Sequence, residues 1–192
     1  MTQVLKALGS VVTSTFLDKP EYNAVKSEKD KGYEERHYKQ EKWVSTKVVG
    51  MLHEKARSTG FRRLFNYIQG TNEKGMKIDM TTPVTTKIEP GAGPNCESTF
   101  TVSFYIPPTH QEAPPKPSDP EVFIEDRQAM TVLVRQFGGF ANEETWLKEA
   151  EELTKKVQEN KEKVNEGCWY TAGYNSPYQM FGRANEIWFI KE

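Results

Sequence analysis

From Tyr33 the chain alternates. Tyr33, Glu35 and His37 fall on one side and Glu34, Arg36 and Tyr38 on the other, the period of two of a β-strand. Trp43 to Val49 continues as its partner, with Val44, Thr46 and Val48 on one face. From Glu54 the period lengthens. Ala56, Gly60, Leu64, Tyr67 and Ile68 recur at helical spacing, and Gly70 supplies a stop. Met76, Ile78 and Met80 alternate again and predict a strand, which Thr81-Thr82-Pro83 breaks before V-T-T-K-I-E. Pro90-Gly91-Ala92-Gly93-Pro94 is a turn or loop. Phe100, Val102, Phe104 and Ile106 then mark the inner face of another strand.

Pro107 to Pro120 holds six of the eleven prolines, too many for a ladder strand, and predicts an extended connector. Beyond it the order repeats. Val122 to Arg127 and Met130 to Phe137 read as strands ended by Gly138-Gly139. Asn142 predicts a helix cap, Glu143 and Glu144 suit the positive helix end, and Trp146, Ala150, Leu153 and Val157 form an apolar stripe. Trp169 to Tyr174 reads as a strand, Asn175-Ser176-Pro177 as a break, and Ile187 to Ile190 as the last strand.

Glu34-Glu35-Arg36 aligns with Glu125-Asp126-Arg127, and at the same offset Trp43 aligns with Val134. His37 falls opposite Gln128, outside the repeated framework. The halves, about 33–106 and 122–190, predict an antiparallel sheet curled or closed by pseudo-twofold pairing, with one helix packed on each half. Residues 1–30 show no period and read as an N-terminal arm, leaving 31–192 as a single domain.

A chain of 192 residues with a net charge of -1 buries a full core without staples and carries no basic footprint for nucleic acid. No apolar run approaches a membrane span, and the first residues lack the pattern of a secretory leader. Cys96 and Cys168 form no C-x-x-C pair and neither is followed by His, so covalent c-type haem attachment is not indicated. A soluble cytoplasmic protein with reduced thiols is the expectation. No nucleophile elbow, phosphate-binding glycine loop or metal-spaced cluster points to an enzyme. Glu34, Glu35, Glu125 and Asp126 alternate with Arg36 and Arg127, as cross-strand ion pairs do.

The stretches Y-E-x-R-H-Y with K-W-V-S-T, T-G-F with Y-I-Q-G, N-E-K-x-M-K-I, M-T-x-P-V-T, F-I-E-D-R and Y-T-A-G-Y-N-S-P resemble the SOUL, or heme-binding protein, family from Tyr33 to Ile190. The resemblance implies an α+β fold, a distorted antiparallel β-barrel of eight or nine strands with two helices. It implies non-covalent binding of haem or another tetrapyrrole by a non-catalytic buffer, carrier or sensor. Two sites follow from it. One makes His37, in the R-H-Y motif, an axial ligand of haem iron. The other is a groove between the first helix and the loop Asn175 to Arg183, where Arg183 stands near the place of a basic residue that is Gln179 here. Arg57, Arg62 and Arg63 on that helix are candidates for propionates, because guanidinium binds carboxylate bidentately. Phe181 is a candidate to stack on the ring, whereas Met76, Met80 and Met180, which could be soft ligands or contacts of the haem face, are expected to fill core. A competing implication is cell-death regulation through the second helix, docked on an anti-apoptotic Bcl-family protein, with mitochondrial association open. That reading needs Leu153 and Val157 exposed.

Overall fold

The computed structural model describes residues 17–25, 31–93, 95–176 and 179–192. Nine strands and two α-helices follow one another as β1 (Tyr22–Ala24), β2 (Glu34–Tyr38), β3 (Glu41–Gly50), α1 (His53–Ile68), β4 (Val84–Glu89), β5 (Ser98–Tyr105), β6 (Val122–Arg127), β7 (Met130–Gly138), α2 (Glu143–Glu159), β8 (Val164–Gly173) and β9 (Ala184–Lys191). All nine form one sheet in the order β1-β2-β7-β9-β8-β4-β5-β3-β6, and every neighbouring pair is antiparallel. The sheet curls as a half-barrel.

The two halves are interleaved, not side by side. β2 of the first half pairs with β7 of the second, and β6 of the second pairs with β3 of the first. Glu34 lies opposite Val134, and Glu125 lies opposite Trp43, the same four residues that the repeat aligns. The twofold relation passes between β4 and β8, which join the halves.

Both helices pack on one face. α1 presses Leu64, Tyr67 and Ile68 onto Val44, Val102 and Phe104, and α2 presses Trp146, Leu153 and Val157 onto Leu133 and Ile187. The opposite face is lined by aromatic rings with two buried arginines among them. Arg36 holds Glu34 and forms a two-pronged pair with Glu186, at 3.1 and 3.0 Å, while its guanidinium lies 4.3 Å from the Tyr22 ring centre. Arg127 holds Glu125 and lies 4.0 Å from the Trp43 ring centre. The repeated Glu-x-Arg triplets are thus a framework of paired, aromatic-covered charge.

Three details differ from the sequence expectations. Residues 76–80 are not a strand. The Asn72 side chain donates to Tyr67 O and Met76 O and accepts from Lys74 N and Met76 N, offering the backbone a local alternative to a ladder. Ile78 is buried all the same, its N–H bonded to Ile68 O. The break at Pro83 precedes β4, whereas Asn175-Ser176 follows β8, so the two breaks are not equivalent; the loop at Pro90 is the counterpart of the second. In the arm, residues 17–25 contribute β1, which pairs with β2, and Asp18 O accepts from Thr82 N. The rest of the arm, 1–16 and 26–30, lies outside the described residues.

Candidate functional site

The two helices begin at one corner of the molecule. α2 is capped by Asn142, whose side-chain oxygen accepts from Thr145 N at 2.9 Å. α1 has Leu52 at its cap position and no side-chain cap of its own. Glu143, in the first turn of α2, stands in: its carboxylate accepts from His53 N and Glu54 N, both at 3.3 Å. A negative group therefore sits at the positive end of α1, supplied by the other half of the chain.

His53 is buried beneath this junction. Its Nε2 lies 2.9 Å from Thr171 Oγ1, and its ring meets Trp146 of α2 and Phe100 of β5. Burial, with a smaller contribution from the Arg57 charge, pushes its pKa down to about 3, so the imidazole is neutral.

One turn further, Arg57 is half-buried. Burial lowers its pKa, Glu54 opposes that, and the Arg183 charge adds to it, which places the two guanidinium groups within each other's field. Arg57 makes no hydrogen bond or ion pair among the described residues. Arg183 comes from the end of the β8–β9 loop. Its guanidinium lies 4.3 Å from the Phe140 ring centre, and Nη1 donates to Ser176 O at 2.8 Å and Gln179 O at 3.0 Å. Its Nε is buried and has no acceptor.

Exposed apolar side chains stand on the segments that carry this pair of cations: Met51 and Leu52 before α1, Phe140 before α2, and Met180 and Phe181 in the β8–β9 loop, Phe181 being 87% exposed. Gln179 ties the loop together, accepting from Asn175 Nδ2 and donating to Phe181 O. An unsatisfied guanidinium donor, a second half-buried guanidinium and an apolar rim suit a flat apolar molecule carrying carboxylates. The residues present therefore fit a tetrapyrrole with propionates.

The structure brings together Arg57, Arg183 and Phe181 from the sequence candidates. Arg62 is exposed on another side of α1. Arg63 turns toward the sheet, bonded to Thr46 Oγ1 and Lys47 O at 3.2 Å each, and pairs with Glu121. His37 lies elsewhere, on the outer face of β2, with its side chain 48% exposed. Its Nδ1 is 2.7 Å from Thr131 Oγ1. Thr131 is its partner on β7, and the corner begins at Gly138 of the same strand, about 23 Å away at ~3.3 Å per residue. Met76 and Met80 pack against the core beneath α1, as expected, whereas Met180 is 67% exposed in the β8–β9 loop and fills no core.

Phe140 and Leu52 were not legible as site residues. Phe140 stands outside any periodic stretch, directly after Gly138-Gly139, and that isolation was its signal. On α2, Leu153 and Val157 are both buried against the sheet. No helix among the described residues is long and apolar enough to cross a membrane.

Comparison with known proteins identifies the family. The profile of the SOUL heme-binding protein family matches residues 17–190. Heme-binding protein 2 of Homo sapiens is 49% identical over 160 residues, covering 83% of this chain and 78% of the relative. Heme-binding protein 1 of Xenopus laevis is 35% identical over 167 residues, covering 86% of this chain and 87% of the relative. Among solved structures, the EcmrR C-terminal domain aligns with a TM-score of 0.59 at 10% identity, covering 89% of this chain and 98% of that one, a likeness of fold alone. The family match spans nearly all the sequence, and the chain belongs to the SOUL heme-binding family.

Proposed function

We propose that this chain is a non-catalytic tetrapyrrole-binding protein of the cytoplasm, which buffers, carries or senses haem, and that its ligand lies at the corner where α1, α2 and the β8–β9 loop meet. The observation that carries the reading is the pair Arg57 and Arg183, two guanidinium groups in each other's field, one without a partner and one with a buried unsatisfied Nε. Carboxylates of a bound ring would satisfy both, and Phe140, Phe181, Met180 and Leu52 would cover its apolar faces. Membership of a family whose relatives are named heme-binding proteins supports the ligand class. Haem would bring an iron able to take an imidazole.

His37 supports a second reading. The hydrogen bond to Thr131 Oγ1 orients the ring through Nδ1, as in a ligating imidazole held by its other nitrogen, while Nε2 lies 3.9 Å from Glu35 Oε1. One ring cannot serve both places. Docking of α2 on an anti-apoptotic Bcl-family protein, with mitochondrial association, would require Leu153 and Val157 to leave the core. The geometry favours the corner.

Hemin and iron-free protoporphyrin titrated into the wild type, Arg57→Ala/Arg183→Ala and His37→Ala separate these readings. The corner predicts that the arginine variant loses about ten-fold or more in affinity for both ligands, at roughly 1.5–3 kcal/mol per charged hydrogen bond before solvent screening. It predicts that His37→Ala keeps porphyrin binding. Loss of the hemin Soret shift in His37→Ala alone would move the site to β2.

A further inference from the structure

A cavity lies away from that corner, between α2 and the start of β8. It encloses about 800 Å³, within the range of organic ligand sites. Its origin is a defect in the sheet. β8 pairs with β9 at Val164↔Lys191 and resumes at Trp169↔Phe189, so the residues between bulge out of the ladder. α2 is anchored through its buried residues Trp146, Leu153 and Val157, and its Leu147, Ala150, Thr154 and the edge of Val157 line the cavity beside the bulge. Trp169 and Phe189 form an aromatic wall, and Val164 and Pro90 complete the apolar lining.

The rim is predominantly acidic. Glu151, Glu162, Glu166 and Glu192 border the cavity against Lys163 alone. Glu162 is occupied by Lys191 at 3.0 Å, Lys31 at 3.5 Å and the Tyr33 hydroxyl. Glu151, Glu166 and Glu192 are in no ion pair among the described residues. These three exposed carboxylates, opposed on the rim by Lys163 and with Glu151 also in the field of Lys155, bias the potential at the cavity mouth toward negative. A ring face adds its own attraction for a cation. The same field repels the propionates of a tetrapyrrole, so the two sites differ in the charge they accept.

We propose that this cavity is a binding site for lipophilic organic cations, that is, aromatic or aliphatic molecules carrying a single amine. The amine sits at the carboxylate rim and the apolar body lies between α2 and the Trp169–Phe189 wall. The site is independent of the tetrapyrrole corner, and the ligand reaches it without displacing any core side chain.

Three probes with one ring system isolate the charge: 1-pyrenemethylamine, 1-pyrenemethanol and 1-pyrenecarboxylate. Pyrene accepts energy from tryptophan. Trp43, Trp146 and Trp188 are deeply buried and Trp169 lines the cavity, so Trp169→Phe identifies the donor. The amine is expected to bind at least ten-fold more tightly than the carboxylate, with the alcohol between them. Glu151→Gln/Glu166→Gln is expected to close most of that gap while leaving protoporphyrin binding unchanged. Ala150→Trp, on the helix face above the wall, fills the cavity and is expected to abolish amine binding with the far-ultraviolet circular dichroism intact. Equal or tighter binding of the carboxylate would overturn the proposal, as would amine binding that survives Ala150→Trp. A fall in protoporphyrin affinity in the glutamine variant would overturn the independence of the two sites. Failure of the tetrapyrrole reading leaves the amine series untouched.

Discussion

His53 makes the stability of the protein depend on pH in a way that can be calculated. Its imidazole is 3% exposed, hydrogen-bonded to Thr171 and wedged between Trp146 and Phe100, and burial holds its pKa at about 3 against the ordinary 6.5. Above pH 6.5 both folded and unfolded chains carry a neutral ring and the group contributes no pH dependence. Below 6.5 the unfolded chain takes up a proton that the folded chain refuses, so stability falls with pH until about pH 3, where the folded ring also protonates. At pH 5.0 the loss is about 2 kcal/mol, from ~1.36 kcal/mol per pH unit below the unfolded pKa. Any folded value below about 4 gives nearly the same figure, because only the unfolded pKa enters at that pH.

The assay is urea unfolding of the wild type and of His53→Gln at pH 7.5 and 5.0. Other carboxylates titrate in both proteins, so the double difference isolates His53. The wild type should lose about 2 kcal/mol more than the variant over this interval. Parallel losses would refute the neutral, buried assignment.

The charged framework yields a further expectation. Arg36→Met leaves Glu186 buried without its cation and should cost about 3–5 kcal/mol in urea unfolding, and adding Glu186→Gln should recover part of it. A cost below about 1 kcal/mol would contradict a buried pair. Gly60 marks the closest approach of α1 to β5, where an added Cβ would lie 2.5 Å from Val102 Cγ2. Gly60→Ala should cost about 1–3 kcal/mol, read as a lower melting temperature, and Val102→Ala in the same chain should relieve some of it. Leu153, fully buried, should cost about 2–5 kcal/mol as Leu153→Ala; a neutral effect would mean that α2 is free to leave the sheet.

The repeat was readable in the sequence because burying an arginine demands a fixed set of partners. Glu34 with Arg36 and Glu125 with Arg127 satisfy that demand within each triplet, and the pairing of Glu34 with Val134 and of Glu125 with Trp43 follows the same alignment. Helical spacing located α1 and the buried stripe of α2 for a similar reason, since each must hide one face. Residues 76–80 misled because alternation records burial, and Ile78 is buried without a ladder.

The site was legible only in pieces. Arg57, Arg62 and Arg63 are equivalent as residue types, yet ~100° per residue turns them to different surroundings, and Arg57 is the one turned into the field of Arg183. Phe140 and Glu143 join the corner through the second half of the chain, a contact that no local spacing encodes. The cavity beside α2 depends on a bulge, which the apolar pattern of β8 does not announce.

The most direct test of the central claim is to titrate iron-free protoporphyrin into 15N-labelled protein and follow the backbone amide resonances. Omitting the iron removes both paramagnetic broadening and axial ligation, so the shifts report where the ring lies. Binding at the corner predicts that the largest shifts fall on residues 51–57, Phe140 and 179–183, with β2 unperturbed around His37. Shifts centred on His37 and Thr131, or on the cavity between α2 and β8, would contradict it.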